Sequence, residues 1–336
     1  MNTILINEFV QIYNMLGDSV QKIKNQSILV TGATGLIGGY ILDFLVWINK
    51  QHNTNIQIYA VATSHCERYG VKYIQCDLSI PNSLSIKTKF HRIIHAAGPT
   101  DPTIYATNPI GVMETNIIGT MQILDVAVQS NARVVFLSSG EVYGHNRDHD
   151  FTECDPCIVD ARTARACYPA AKIAAEALCQ SYAQTHNLHI NIVRPGFAYG
   201  PNIADKSMRV NAQFLRRAMA GKNILLKSQG NQRRSWVYVA DVASGILFVM
   251  LNASRGDDYN IANNKSVATI YQYACTMAQI AGVNVEIANG ARDAIGADSV
   301  LNADRLMCLG WRPQYGLESG IRQTLKIKSL SCTGAE

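Results

Sequence analysis

The chain has 336 residues, of which 48% are apolar and 16% charged, and 30 Lys and Arg against 25 Asp and Glu leave a net charge of +5. At roughly 150 residues per domain this is about two domains, or one large domain with a lobe, and enough chain for a sizeable core. Disordered, coiled-coil, fibrous and disulfide-stapled proteins are excluded, and the mild, scattered positive charge argues against a nucleic-acid partner while suiting an anionic small substrate.

No stretch approaches the ~18 uninterrupted apolar residues of a membrane span, and the most apolar early run, 40–48, is broken by Asp43. The N-terminus lacks the basic, apolar and small-residue pattern of a signal peptide, and nine cysteines lie without regular spacing. The expectation is reduced thiols in a cytoplasmic protein with no membrane partner.

The first predicted element is an amphipathic helix packed on the main body, with Ile6, Phe9, Val10, Tyr13, Leu16, Val20 and Ile23 at helical spacing. A short buried strand over 27–30 runs into Thr31-Gly32-Ala33-Thr34-Gly35-Leu36-Ile37-Gly38 and an apolar helix. Further apolar strands over 56–62, 92–95, 134–137 and 190–193 alternate with helical patterns. That alternation predicts an α/β fold, a doubly wound parallel sheet of Rossmann type with helices on both faces. After Arg194-Pro195, Gly, Asn and basic residues become frequent, and Tyr259-Asn260-Ile261-Ala262 before an apolar helix over 271–280 suggests a smaller α/β substrate lobe. The expected division is 1–195 as a dinucleotide-binding domain, to which 235–258 returns, and 196–336 as the substrate-binding lobe.

Gly32, Gly35 and Gly38 between a strand and a helix suit dinucleotide binding: a tight turn, backbone approach to a pyrophosphate, and close helix packing. Thr34, Leu36 and Ile37 complete this loop as cofactor-binding candidates. The acid expected at the end of the second strand, to bind the adenosine ribose, is missing from Ala62-Thr63-Ser64-His65-Cys66-Glu67-Arg68. Arg68 or His65 can instead meet a 2′-phosphate, or Arg68 is a solvated loop residue. NAD is the expected cofactor, with NADP open.

Tyr168 and Lys172 stand at i and i+4 at the start of a helical pattern and share one face. A nearby ammonium stabilises phenolate, so the tyrosine can act as a base toward a sugar hydroxyl. The run Ser138-Ser139-Gly140-Glu141-Val142-Tyr143-Gly144 directly follows a buried strand, where hydroxyl and carboxylate groups reach the ligand crevice of a parallel sheet.

With Asp77-Leu78 and His95-Ala96-Ala97-Gly98 added, the chain from Ile28 to Pro313 resembles the extended short-chain dehydrogenase/reductases that modify nucleotide sugars. The resemblance implies that Asp77 touches the adenine, Lys172 the nicotinamide ribose, and Ser139 the sugar hydroxyl alongside Tyr168. Leu78, Ala96, Ala97, Gly98, Asn116 and Ser138 join the cofactor set on the same ground. Among these enzymes the chain most resembles UDP-glucuronate decarboxylases. Pro99, Pro102, Tyr105, Asn108 and Pro109 match that family's substrate-side loop, and Arg165-Ala166-Cys167-Tyr168 matches the run into its tyrosine. Arg209 lies at the matching distance, and Gln232-x-Arg234 before Tyr238-Val239-x-Asp241 matches its nucleotide-binding segment. Pro99, Tyr105, Glu141, Arg209, Arg234 and Arg292 are therefore the substrate-binding candidates, and Tyr168, Lys172, Ser139 and Glu141 the catalytic ones.

Two departures stand out. The family has Thr-Ser-Glu where this chain has Ser139-Gly140-Glu141, and a 4,6-dehydratase has Asp at the Gly140 position, so the glycine argues against dehydration. Phe197 replaces an asparagine that the family offers to the substrate. The implied chemistry is transient C4 oxidation of a nucleotide sugar followed by decarboxylation; 4-epimerisation and 4-keto reduction are the alternatives, and a dinucleotide-sensing regulatory protein is the non-enzyme one. Tyr168, Lys172 and Ser139 together favour an enzyme. His145, His149, Cys154 and Cys157 have zinc-ligand types but only one Cys-x-x-Cys, in a stretch where the family has a substrate loop, so no metal is expected. The apolar helices over 112–128 and 170–182 resemble the family's dimer bundle, and a homodimer is expected.

Overall fold

The computed structural model describes residues 2–64, 68–144, 149–289 and 298–333, with side chains to residue 330. His65, Cys66, Glu67, His145 and Arg292, named above, lie outside the described residues.

Asn2 caps helix α1 (Thr3–Leu16), which tightens into a 3₁₀ turn at Gly17–Ile23. Phe9, Leu16, Val20 and Ile23 are buried as the spacing predicts, but Val10 faces solvent and Ile12 takes the inward place. The chain then alternates: β1 (Ser27–Thr31), α2 (Leu36–His52), β2 (Gln57–Ala62), β3 (Val71–Gln75), β4 (Arg92–His95), α3 (Pro102–Thr107), α4 (Pro109–Ser130), β5 (Arg133–Leu137), α5 (Cys167–His186) and β6 (Ile190–Pro195). Three long helices, α2, α4 and α5, end on left-handed asparagines, Asn53, Asn131 and Asn187, a conformation asparagine tolerates better than most residues.

The second half adds β7 (Phe197–Tyr199), α6 (Val210–Met219), β8 (Ile224–Leu226), β9 (Arg233–Tyr238), α7 (Val239–Asn252), β10 (Asp258–Ile261), β11 (Val267–Thr269), α8 (Ile270–Ala281), β12 (Val285–Ile287), α9 (Asp304–Leu309) and α10 (Leu317–Thr333). Seven strands form one parallel sheet in the order β10-β6-β5-β4-β1-β2-β3. Tyr259–Ile261, assigned above to the second lobe, is thus the far strand of the main sheet, paired with Val193–Pro195. Outside the main sheet lie two small sheets, β11-β9-β7 and β12-β8.

Successive residues of β1 feed opposite sides. Ile28 and Val30 join α1, α2 and α7 in one core, while Leu29 joins α4 and α5 in another. This is the two-sided burial that makes parallel strands continuously apolar. Between α1 and the body sits a buried carboxylate: both Tyr40 (2.7 Å) and Tyr238 (2.8 Å) donate to Glu8. Burial raises the Glu8 pKa to about 7. Among the described residues no helix is long and apolar enough to cross a membrane.

Candidate active site

β1 delivers its chain into a sharp turn at Gly32, whose φ of +68° is left-handed. A Cβ there would lie 2.5 Å from the Ala96 carbonyl oxygen, and one at Gly38 would collide with the Gly32 carbonyl. Only glycine therefore lets α2 start this close to the strand. Gly32, Thr34 and Gly35 line a groove of about 460 Å³ across the ends of β1, β2 and β4. Asp77, Leu78, Ala96, Ala97, Gly98 and Pro99 line it too, and Ser79 holds the Asp77 carboxyl below its usual range by donating backbone and hydroxyl hydrogens.

Beneath the groove a buried relay fixes α4. Ala97 N–H donates to Thr31 Oγ1 (3.0 Å), Thr31 meets His95 Nδ1 (2.7 Å), His95 Nε2 meets Thr120 (3.1 Å), and Thr120 donates to the Asn116 carbonyl. Since the Thr120 hydrogen is committed to Asn116, His95 must carry its proton on Nε2. Burial and the Lys172 charge push its pKa to about 3, keeping it neutral. The relay brings Asn116 beside Gly98, where its Oδ1 is buried without a hydrogen-bond partner; Ser138 Oγ is likewise unpartnered. An orphaned buried oxygen on Asn116 beside a glycine-cradled groove fits a bound dinucleotide, while Ser138 lines the neighbouring cavity.

Arg68 does not line that groove. Its guanidinium donates to Asp43 (2.7 Å) and Tyr73 (2.8 Å) and reaches the Ala33 carbonyl. Leu36 packs against the core, and Ile37 lines a second cavity instead of the groove.

That cavity, about 400 Å³, lies between the carboxyl ends of β5 and β6 and residues of β7, α6 and β9. Ser139 caps the 3₁₀ turn Gly140–Tyr143 by accepting from the Glu141 N–H (3.2 Å), which puts Ser139 and Glu141 side by side in the wall. Tyr168 is buried on the first turn of α5, and burial and the Glu141 charge push its pKa up to about 12, opposed by the Ser139 hydrogen bond and by Arg209 and Arg165. Lys172, one turn on, donates to the Leu137 carbonyl (2.8 Å), and burial pushes its pKa down to about 8. Tyr168 and Lys172 stand one turn apart on α5, and the cations acting on the phenol here are the two arginines.

Tyr105 stacks on Tyr168 (centroids 5.0 Å, 19°), and Arg165 lies over the Tyr105 ring at 4.7 Å while pairing with Glu141 at 2.7 Å. Arg165 therefore closes a loop of four side chains, a role that its place in the run before Tyr168 did not signal. Arg209 stands directly before α6 and donates Nε to the Thr100 carbonyl (2.9 Å), while Asp101 accepts from Ser207 and Met208. Glu141 pairs with Arg165, not with Arg209. Arg234 stacks on Phe197 at 5.1 Å and lines the cavity with Gln232. Ser299 and Leu301 also line it; nothing in their sequence context marks them.

The described zinc-ligand candidates have other partners. His149 pairs with Asp155 (2.8 Å), Cys154 accepts from Arg305, and Cys157 packs near Tyr143 and Phe151. Among the described residues no three His, Cys, Asp or Glu side chains converge on a metal position.

UDP-glucuronic acid decarboxylase 6 of Arabidopsis thaliana is 29% identical to this chain over 304 residues, spanning 89% of the chain and 87% of that protein. The structure of epimerase Mth375 from Methanothermobacter thermautotrophicus superposes with a TM-score of 0.83 at 18% identity, covering 95% of this chain and 96% of that one. UDP-glucuronic acid 4-epimerase from Bacillus cereus, solved with UDP-glucuronic acid and NAD, gives 0.76 at 18% identity over 91% and 99%. At these identities the two structures speak for the fold. A family model, NAD dependent epimerase/dehydratase family, matches residues 28–262, which hold the glycine turn, the Ser139 strand end and the Tyr168 helix. The chain belongs to the NAD dependent epimerase/dehydratase family.

Proposed function

We propose that this enzyme decarboxylates UDP-glucuronate through transient oxidation at C4, with NAD as the resident cofactor. The observation that carries the reading is one cavity in which Tyr168, Ser139 and Glu141 face Arg165 and Arg209. Three arginines line it with a single described carboxylate, Glu141, itself neutralised by Arg165, which suits an acidic sugar on a diphosphate. NAD over NADP is supported by Arg68, whose charge is taken up by Asp43. The same cavity is proposed as a homodimer's, one site per subunit, on the resemblance of α4 and α5 to the family's dimer helices.

The glycine turn, Asp77, Asn116 and Lys172 would hold the cofactor, which when bound supplies the acceptor for the C4 hydride and later returns it. Tyr168 takes the C4 hydroxyl proton, and Ser139 holds the oxygen. Arg165 and Arg209 oppose the burial that raises the Tyr168 pKa to about 12, and so ease the loss of its proton. Arg209 grips the C5 carboxylate; as the bond from C5 to the carboxyl carbon breaks and carbon dioxide leaves, its electron pair passes to the C4 oxygen held by Tyr168 and Ser139 as an enolate, and C5 takes a proton from solvent to restore the C4 ketone before that ketone is reduced. Glu141, fixed by Arg165, orients the ring.

Gly140, crowded by Leu301, offers no acid to a leaving hydroxyl and so speaks against dehydration, leaving C4 epimerisation of the same acid as the second reading because it shares the C4 oxidation. Mass analysis of products from UDP-glucuronate separates the two, carbon dioxide loss against an isobaric product. Arg209→Ala and Arg209→Lys are then compared on UDP-glucuronate and on an uncharged nucleotide sugar. A carboxylate grip predicts about 10- to 100-fold loss on the acid, partly restored by Lys, and little on the neutral sugar. Equal losses on both would make Arg209 a contact between lobes only.

A further inference from the structure

Phe197 stands where related enzymes offer an asparagine, and its surroundings give it a different task. It is paired with Trp236 across β7 and β9, and two residues back along β9 Arg234 projects from the same face. The Arg234 guanidinium lies 5.1 Å from the Phe197 ring centre. That ring packs on Trp236 (5.9 Å), and Trp236 stacks on Tyr273 of α8 at 4.0 Å and 27°. One cation thus tops a column of three aromatic rings rooted in the core, where Trp236 and Tyr273 are both 1% exposed. Around its rim, Arg234 donates to the Arg233 carbonyl (3.0 Å) and to Gln232 Oε1 (3.0 Å). Arg234 is itself 6% exposed yet lines the cavity.

A flexible arginine loses rotamer entropy whenever it binds an anion, and a guanidinium already held in place loses less. An asparagine at 197 would present an amide dipole and no π face, leaving the guanidinium without its floor. We infer that Phe197 is a positioning residue: it fixes the Arg234 guanidinium in advance and thereby sets this enzyme's affinity for the diphosphate of its nucleotide sugar. The inference rests on the functional reading above and adds to it the residue that makes Arg234 effective.

The test is calorimetric titration with UDP, with GDP, CDP and dTDP alongside, of the wild type, Phe197→Leu, Phe197→Trp, Arg234→Ala and the Phe197→Leu/Arg234→Ala double variant, each checked for an unchanged melting curve. Losing a desolvated cation–π floor predicts UDP binding about 5- to 30-fold weaker in Phe197→Leu. Phe197→Trp, which keeps a π face and should work even if Leu disturbs packing, stays within about 3-fold of the wild type, since a Trp face binds cations at least as well as Phe. The double variant binds no more weakly than Arg234→Ala, because Phe197 acts only through Arg234. KM for the nucleotide sugar rises with little change in kcat. Phe197→Leu binding within about 2-fold of the wild type, or losses that simply add in the double variant, would overturn the positioning role while leaving the functional reading intact. A wild type that binds none of the four diphosphates would bring down the functional reading and this inference together.

Discussion

Putting a side chain at residue 140 tests how Leu301 shapes the cavity. Gly140 is not left-handed, so its backbone would accept serine; the obstacle is space. A Cβ at 140 would sit 2.9 Å from Leu301 Cδ1 and 3.2 Å from Cδ2, below normal contact, before any hydroxyl is added. Overfilling a packed site costs about 1–3 kcal/mol. Restricting the unfolded chain returns about 0.4–1 kcal/mol, so Gly140→Ser should lose a net 1–2 kcal/mol or so. Leu301, 1% exposed, should lose about 2–5 kcal/mol on truncation to Ala. In the double variant the serine enters the volume that Leu301 vacates, so the two losses should fall short of their sum by about 1–3 kcal/mol. Urea unfolding of the four proteins with matched m-values measures this. A Gly140→Ser variant within about 0.5 kcal/mol of the wild type, or strictly additive losses, would show that Leu301 does not dictate the glycine.

Tyr168→Phe should retain cofactor binding by titration while kcat falls about 10²- to 10⁴-fold; turnover near the wild-type rate would remove Tyr168 as the base. Glu8 provides a pH signature. Its folded pKa of about 7 lies above the ordinary 4.5, so the native state holds the proton more tightly, and the stability this brings is complete below about 4.5 and lost as pH rises through 7. Melting temperatures of wild type and Glu8→Gln from pH 5 to 8 should show a downward slope that flattens in the variant, with Asp241, also raised to about 7 by burial, leaving a residual slope. An unchanged slope would mean that Glu8 titrates normally.

What could be read from the sequence was what local pattern encodes. The glycine turn needs φ > 0 and close approach at fixed spacing, and Tyr168 and Lys172 need only one helix turn, so both were legible. β3 was not foreseen, because a half-exposed edge strand carrying Lys72 and Gln75 lacks the apolar run that marked the others. α1 was legible as a helix but not in its rotation: Val10 and Ile12 both suit an apolar stripe, and the docking of Glu8 under Tyr40 and Tyr238 decides between them. The loop joining Tyr168, Tyr105, Arg165 and Glu141 depends on contacts between segments tens of residues apart. For the same reason the reach of Leu301 to Gly140, across 161 positions of numbering, leaves no trace in either neighbourhood.

Residues 299–302 are stitched on both sides. Ser299 N–H donates to the Arg233 carbonyl and Leu301 N–H to Ser235 Oγ, while Val300 and Asn302 exchange backbone hydrogen bonds with Phe151. A segment seamed this way cannot follow one half of the molecule without tearing from the other. The cavity wall it carries therefore behaves as a fixed gauge: a bulkier sugar cannot push Leu301 aside gradually but must break backbone hydrogen bonds in steps. Changes of substrate size in this enzyme would then be made by replacing the Leu301 side chain, whose truncation enlarges the chamber while the seam stays closed.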